Sequence, residues 1–175
     1  MSLLIRPMTV SDHAAVARIF FCAVHEGTRA AYSAAQRRAW AGETIDLPAW
    51  QRRLEGMTGF VATRDEEPVG VLTLDAIADA QAHVDLAFVL PSQAGKGIGG
   101  QLLRRAEAWA RSGGAGHMTT EASLVARPFF ARHGWQVVRP EEILRRGVSL
   151  RRFRMRKDLE AAAVPAASGG ALRPG

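Results

Sequence analysis

Four glycines fall within six residues in Gly95-Lys96-Gly97-Ile98-Gly99-Gly100, after the apolar run Phe88-Val89-Leu90 and Pro91. A helix-like run through Trp109 follows. A glycine-rich loop that opens a helix leaves several backbone N–H groups unpaired and outward, where they can hold a phosphate. The segment therefore points to a phosphorylated cofactor. The string satisfies GxGxxG, and Glu121 falls about twenty residues on, where a dinucleotide fold places its ribose-binding acid. Against that reading, Pro91-Ser92-Gln93-Ala94 separates the strand from the first glycine, and too little chain follows Glu121 to complete a doubly wound sheet. No GxxxxGK[ST] exists, so a P-loop is excluded.

The elements that must position this loop read as follows. Leu3 to Pro7 is a short strand, and Ser11-Asp12 offers an N-cap to a helix with Ala15, Val16, Ile19, Phe20 and Ala23 on one face. Short helices follow over residues 33–42 and 48–56, carrying Trp40 and Trp50. Phe60 to Thr63 and Val69 to Asp75 form a hairpin around Asp65-Glu66-Glu67-Pro68. His83 to Leu90 is a strand feeding the glycine loop, and a helix spans about 98–112, ended by Gly113-Gly114-Ala115-Gly116. His117 to Ala122 is a strand, residues 125–133 a short helix, and strands begin at Trp135 and Val148. The order predicts an α/β (α+β) fold: one mixed, mostly antiparallel sheet of about six to seven strands with helices on both faces. Residues 1–159 are expected to form one domain, and the Ala/Pro/Ser/Gly-rich residues 160–175 a flexible tail.

Composition bounds the function classes. The chain has 175 residues, a formal charge of +6 and one cysteine, Cys22. An internal disulfide is excluded, and the cytoplasm is the expected compartment. No run approaches the ~20 apolar residues of a membrane span, and no signal peptide opens the chain. The histidines show no paired ligand spacing and no CxxC exists, so no metal is expected. The late arginines Arg152, Arg154 and Arg156 alternate with Phe153 and Met155, the pattern of a strand with one wet face rather than a nucleic-acid motif.

The run Ala87-Phe88-Val89-Leu90-Pro91 followed by Gly95-Lys96-Gly97-Ile98-Gly99 resembles the central motif of the GNAT superfamily of CoA-dependent N-acetyltransferases. The block from Ser123 to Trp135, with Pro128-Phe129-Phe130 and Gly134, is similar to that family's later helix and strand start. The likeness covers about Leu3 to Leu159. Ala39-Trp40-Ala41, Trp50 and Ala122-Ser123 bring it nearest the YafP-like bacterial subgroup. Two departures stand out: the family's Arg or Gln falls at Ala94, and its tyrosine and asparagine fall at Phe130 and Ser123.

The resemblance implies acetyl-CoA as cofactor and direct transfer of the acetyl group to a primary amine, carried by a small molecule or a protein. It places the pantetheine arm along Phe88, Val89 and Leu90, with the Val89 N–H as oxyanion donor. The pyrophosphate would lie on the loop from Ala94 through Gly95, Lys96, Gly97, Ile98, Gly99 and Gly100, with Ser123, Arg127 and Phe130 on the second wall. A period of two puts His83, Asp85, Ala87 and Val89 on one strand face. Positions matching His83 and Asp85 carry the base, or residues ordering a base-linked water, in several relatives. An imidazole of pKa about 6.5 suits that work better than a carboxylate of about 3.9. Phe130 cannot protonate a departing thiolate, and Tyr32, the single tyrosine, is the candidate replacement. Glu26, His25, Trp40 and Trp50 are expected near the acceptor. A homodimer fits such folds. The rival functions are an acyl-CoA sensor without catalysis, a dinucleotide-binding oxidoreductase and an arginine-driven nucleic-acid binder.

Overall fold

The computed structural model describes residues 2–160; most of the expected tail, residues 161–175, lies outside the described residues. Strand β1 (Leu3–Pro7) leads through a 3-10 turn at Val10–Asp12 into α1 (His13–His25). Asp12 is therefore the N-cap residue of α1, as expected, but its side chain makes no capping bond to the helix. Asp12 turns back instead: it accepts from the Thr9 N–H at 2.8 Å and from both Arg6 guanidinium nitrogens at 2.8 Å. Helix α2 (Ala34–Ala41) starts where the Ser33 hydroxyl accepts from Gln36 N–H and the Gln36 side chain accepts from Ser33 N–H. Helix α3 (Leu47–Leu54) is capped by Asp46, which accepts from Ala49 N–H, with Pro48 in its first turn.

Strands β2 (Thr58–Arg64), β3 (Glu67–Leu74) and β4 (Gln81–Val89) follow, then α4 (Ile98–Ser112), β5 (His117–Ser123), α5 (Ala126–Arg132), β6 (Gln136–Arg145) and β7 (Val148–Asp158). The sheet runs β1-β2-β3-β4-β5-β7-β6. Every neighbouring pair is antiparallel except β4 with β5. A doubly wound parallel sheet is thereby excluded, and with it the dinucleotide-fold reading. No described helix is long and apolar enough to cross a membrane.

The sheet separates two cores. On one face Leu102, Leu103, Ala106 and Ala110 of α4 pack on Leu72, Leu74, Ala82 and Val84. On the other, Val16, Ile19, Phe20 and Val24 of α1 pack on Val61, Val71, Leu86 and Leu54. Burying such side chains is worth roughly 1.5–3 kcal/mol each, so the two faces fix the registers between them.

One irregularity positions everything that follows. In the β3–β4 ladder Thr73 opposes Leu86 and Leu74 opposes Val84, so Asp85 is an extra, unopposed residue. A bulge shifts the side-chain alternation by one. Ala82, Val84, Ala87 and Val89 share the α4 face, while Leu86 and Phe88 join α1. The expectation that His83, Asp85, Ala87 and Val89 share one face is therefore wrong. Simple alternation assumes an unbroken ladder, and this ladder breaks at Asp85.

Candidate active site

Strands β4 and β5 pair only from Gln81–Val84 against His117–Thr120. The Thr120 hydroxyl donates to the Val84 carbonyl at 3.0 Å and ends the pairing. Beyond it β4 bends at the bulge, and the strands part. Leu90 N–H donates to Val69 O on the β3 side, so ladder alternation turns the N–H groups of Ala87 and Val89 toward the gap. Of the three expected backbone contacts, Val89 has its donor on the open side. Leu90 does not: its N–H is spent on Val69 and its carbonyl accepts from Gln93.

The gap continues into the glycine loop. Pro91–Gln93 forms a 3-10 turn, Gly95 and Gly97 both have φ +75°, and α4 makes its first backbone link from Gln101 N–H to Gly97 O. No described acceptor takes the intervening N–H groups of Gly95, Lys96, Gly97, Ile98, Gly99 and Gly100. Six unpaired donors at the positive end of a 15-residue helix suit an anionic diphosphate. The glycines divide the labour. Gly95 and Gly97 supply the left-handed turn. Gly99 and Gly100 let α5 approach: a Cβ would stand 3.1 Å from the Phe129 ring at the first and 2.9 Å from His133 Nε2 at the second. Ala94 is exposed, and the neighbouring Gln93 side chain accepts from Lys96 Nζ at 3.1 Å.

On the other side of the gap lies a cavity of about 390 Å³, bounded by α1–α3, β4, β5 and the β6–β7 hairpin. Asp85 and Glu121 line it, as do Tyr32, Trp40, Trp50, Phe88, Ser123 and Phe130. The Asp85 carboxylate is gripped by Arg53 Nη2 at 3.0 and 3.1 Å, and that guanidinium lies 5.0 Å over Trp50. His83 stands behind Glu121. Its Nε2 is 2.8 Å from Glu121 Oε2 and its Nδ1 is 2.8 Å from Thr119 Oγ1. The hydrogen bond to Glu121 pushes the imidazole above its usual 6.5, against the opposing effect of burial. The same bond, with Arg152 and Arg154 nearby, holds the Glu121 carboxyl below its usual range, again against burial.

The other expected residues fall as follows. Tyr32 lines the cavity, but its hydroxyl donates to Arg151 O at 2.7 Å and accepts from Leu124 N–H at 2.9 Å. In this arrangement its proton is committed to the backbone, so the phenol locks the hairpin to the helices rather than facing a leaving group. Burial pushes its pKa up. Phe130 is buried between Phe129 and Trp135, with centroids 5.3 and 4.9 Å away. Ser123 Oγ accepts from the N–H of Ala126, the first residue of α5. Arg127 is exposed and stacks 4.6 Å over Phe153. His25 bonds to Gly42 O, and neither it nor Glu26 lines the cavity. The β7 arginines are wetter than Phe153 and Met155, as expected, yet Arg152 and Arg154 are paired with Glu141 and Glu121. Sequence reasoning weighed Glu121 only as a ribose ligand and missed Arg53. Glu121 lies two residues from Thr119 on one strand face, but only the β4–β5 pairing brings it to His83.

The sequence profile of the Acetyltransferase (GNAT) domain family matches residues 28–159. An uncharacterized N-acetyltransferase of Escherichia coli, YafP, is 30% identical over 155 residues, covering 87% of this chain and 93% of its own. A GCN5-related N-acetyltransferase from Rhodopseudomonas palustris superimposes with a TM-score of 0.83 at 30% identity, over 91% of this chain and 97% of that one. The PaiA N-acetyltransferase of Thermoplasma acidophilum, solved in complex with coenzyme A, shares the fold with a TM-score of 0.71 at 21% identity, over 90% and 99%. With a profile match across most of its length and a near-full-length relative at 30% identity, the chain belongs to the GNAT family of acetyltransferases.

Proposed function

We propose that the protein binds acetyl-CoA and transfers its acetyl group directly to a primary amine of a small molecule or protein. The observation that carries this reading is two sets of free backbone donors at the ends of one gap. One lies on the parted edge of β4 and the other at the start of α4, and the strand set opens into the cavity of Asp85 and Glu121. Bound acetyl-CoA supplies the acetyl group as a thioester. The Gly95–Gly100 amides hold the diphosphate, and the Val89 N–H donates to the thioester carbonyl oxygen. The ammonium proton passes to the Glu121–His83 pair: Glu121 faces the amine, and His83 has the basicity to keep the proton. Arg53 holds the Asp85 carboxylate in place beside them.

The test is calorimetry with acetyl-CoA, followed by thiol release across a panel of primary amines. Micromolar binding with amine-dependent release is the expected outcome; no binding overturns the reading. Phe130 and the committed Tyr32 hydroxyl favour one second reading, an acyl-CoA sensor, because no phenol is free to protonate a thiolate. A thiol of pKa about 8.5 leaves tolerably without one. Tight binding without single-turnover release on any amine would favour the sensor.

A further inference from the structure

We infer that the acceptor is a primary amine on a flat apolar body, the arylalkylamine class, and that polyamines and lysine-rich peptides are turned away. The inference rests on the acetyltransferase reading and adds the substrate class. The cavity wall opposite the strand edge is aromatic. Phe20 lies 5.0 Å from Trp50, 5.0 Å from Phe88 and 6.1 Å from Trp40, all edge-on or tilted. Phe20 is buried, but Trp40, Trp50 and Phe88 keep part of their surface open to the cavity. Aromatic rings in such a set offer edges and faces to one further ring.

Three carboxylates line the cavity: Asp85 and Glu121 on β4 and β5, and Asp46, exposed and accepting from Ala49 N–H at the start of α3. Asp85 is paired with Arg53, which leaves Glu121 as the seat for the reacting ammonium. The mouth has the opposite sign. The β6–β7 hairpin brings Arg145, Arg146, Arg151 and Arg152 to the lining. Arg146 is fixed on the carbonyls of Arg38 and Ala39, and Arg152 on Glu141. Arg145 and Arg151 are exposed and pair with no described carboxylate. A second or third ammonium on the acceptor would meet these four guanidiniums against the single exposed carboxylate of Asp46, whereas one amine on an aromatic body satisfies both the wall and Glu121.

The experiment measures thiol release by the full chain from acetyl-CoA with 2-phenylethylamine, tryptamine, spermidine and a lysine peptide. Binding of the same amines is followed separately by tryptophan fluorescence without acetyl-CoA. Arylalkylamines should exceed spermidine at least about tenfold in kcat/KM. Trp50→Ala should raise KM for 2-phenylethylamine about tenfold with kcat and acetyl-CoA affinity nearly unchanged, and Trp50→Phe should largely restore it. Arg145→Glu should improve spermidine several-fold. Spermidine or the peptide performing as well as the arylalkylamines would overturn the inference. So would absence of arylalkylamine turnover by a protein that binds acetyl-CoA. Failure to bind acetyl-CoA counts against the proposed function instead, and the fluorescence titrations still decide the amine class.

Discussion

The two sides of the β4–β5 gap are built from different parts of the chain. On the α4 side the donors are backbone N–H groups of one segment, Gly95–Gly100, and side chains contribute mainly by being absent. On the acceptor side the groups are mainly side chains, and their partners are far apart in sequence: Arg53 with Asp85, His83 with Glu121, the Tyr32 hydroxyl with the Arg151 carbonyl and the Leu124 N–H. A backbone cradle needs only local conformation, so it tolerates Ala94 where the family carries a polar side chain. A side-chain cavity needs the whole sheet in register. The Asp85 bulge is the border between them, because it both opens the gap and decides which β4 side chains face the acceptor.

Removing that border should have the largest effect. Deleting Asp85 gives an unbroken ladder in which Leu86 and Phe88 still face α1 and Ala87 and Val89 still face α4, so both cores keep their partners while the bulge and the partner of Arg53 are lost. We expect cooperative thermal unfolding to persist and turnover to fall by at least roughly 100-fold; a deletion variant that turns over like the parent would show that the bulge does not shape the gap. Gly97→Val should strike the backbone side alone. A left-handed residue of this kind costs about 1–2 kcal/mol, and acetyl-CoA affinity should fall roughly 10- to 100-fold by calorimetry. The Glu121–His83 pair should survive, as read by histidine NMR.

Acid should loosen the acceptor-side helices. Asp12, beside Arg6, titrates at about 2 instead of 3.8. Because the folded value is the lower one, its contribution is complete above about pH 4 and is lost as pH falls toward 2. The shift corresponds to about 2 kcal/mol. Asp12→Asn should flatten that part of the acid denaturation curve, and an unchanged curve would remove Arg6–Asp12 from the account. Tyr32→Phe leaves Arg151 O and Leu124 N–H without their partner, costing about 1–2 kcal/mol. Its melting temperature should drop while turnover changes less than about threefold, since the hydroxyl is not assigned to proton transfer. A large loss of kcat at unchanged stability would reinstate it as the acid.

The smallest effect is the most specific. His83 must be neutral to accept a proton, and its folded pKa lies above 6.5, so the acid limb of kcat/KM should fall above pH 6.5. By the same sign, the stability this pair lends through His83 is full below 6.5 and is lost as pH rises through the folded value. In Glu121→Gln the limb should move back toward 6.5. A limb that stays in place would separate His83 from the proton transfer.

Much of the backbone side was legible in the sequence. Glycines after a proline-ended apolar run announce the loop, and the helix over 98–112 is found with the expected bounds. The strands were found within a few residues, because hydrophobic alternation is a local signal. The acceptor side was legible in residue type but not in arrangement. Trp40 and Trp50 were expected near the acceptor and line the cavity, but nothing local to Arg53 marks it as the partner of Asp85, thirty-two residues away. His83 was singled out for its chemistry; its partner was misread because the parallel β4–β5 contact is long-range.

The sequence alone determined the order of elements, the glycine-rich loop that opens α4 and the absence of a phenol at Phe130, since turn glycines, periodicity and residue chemistry act over a few neighbours. Tertiary structure decided which side chains meet. The register of seven strands is chosen by two cores at once, and a single extra residue at Asp85 reverses the side-chain faces of the strand beyond it. No local pattern contains that choice, because its energy comes from burial against helices distant in the chain.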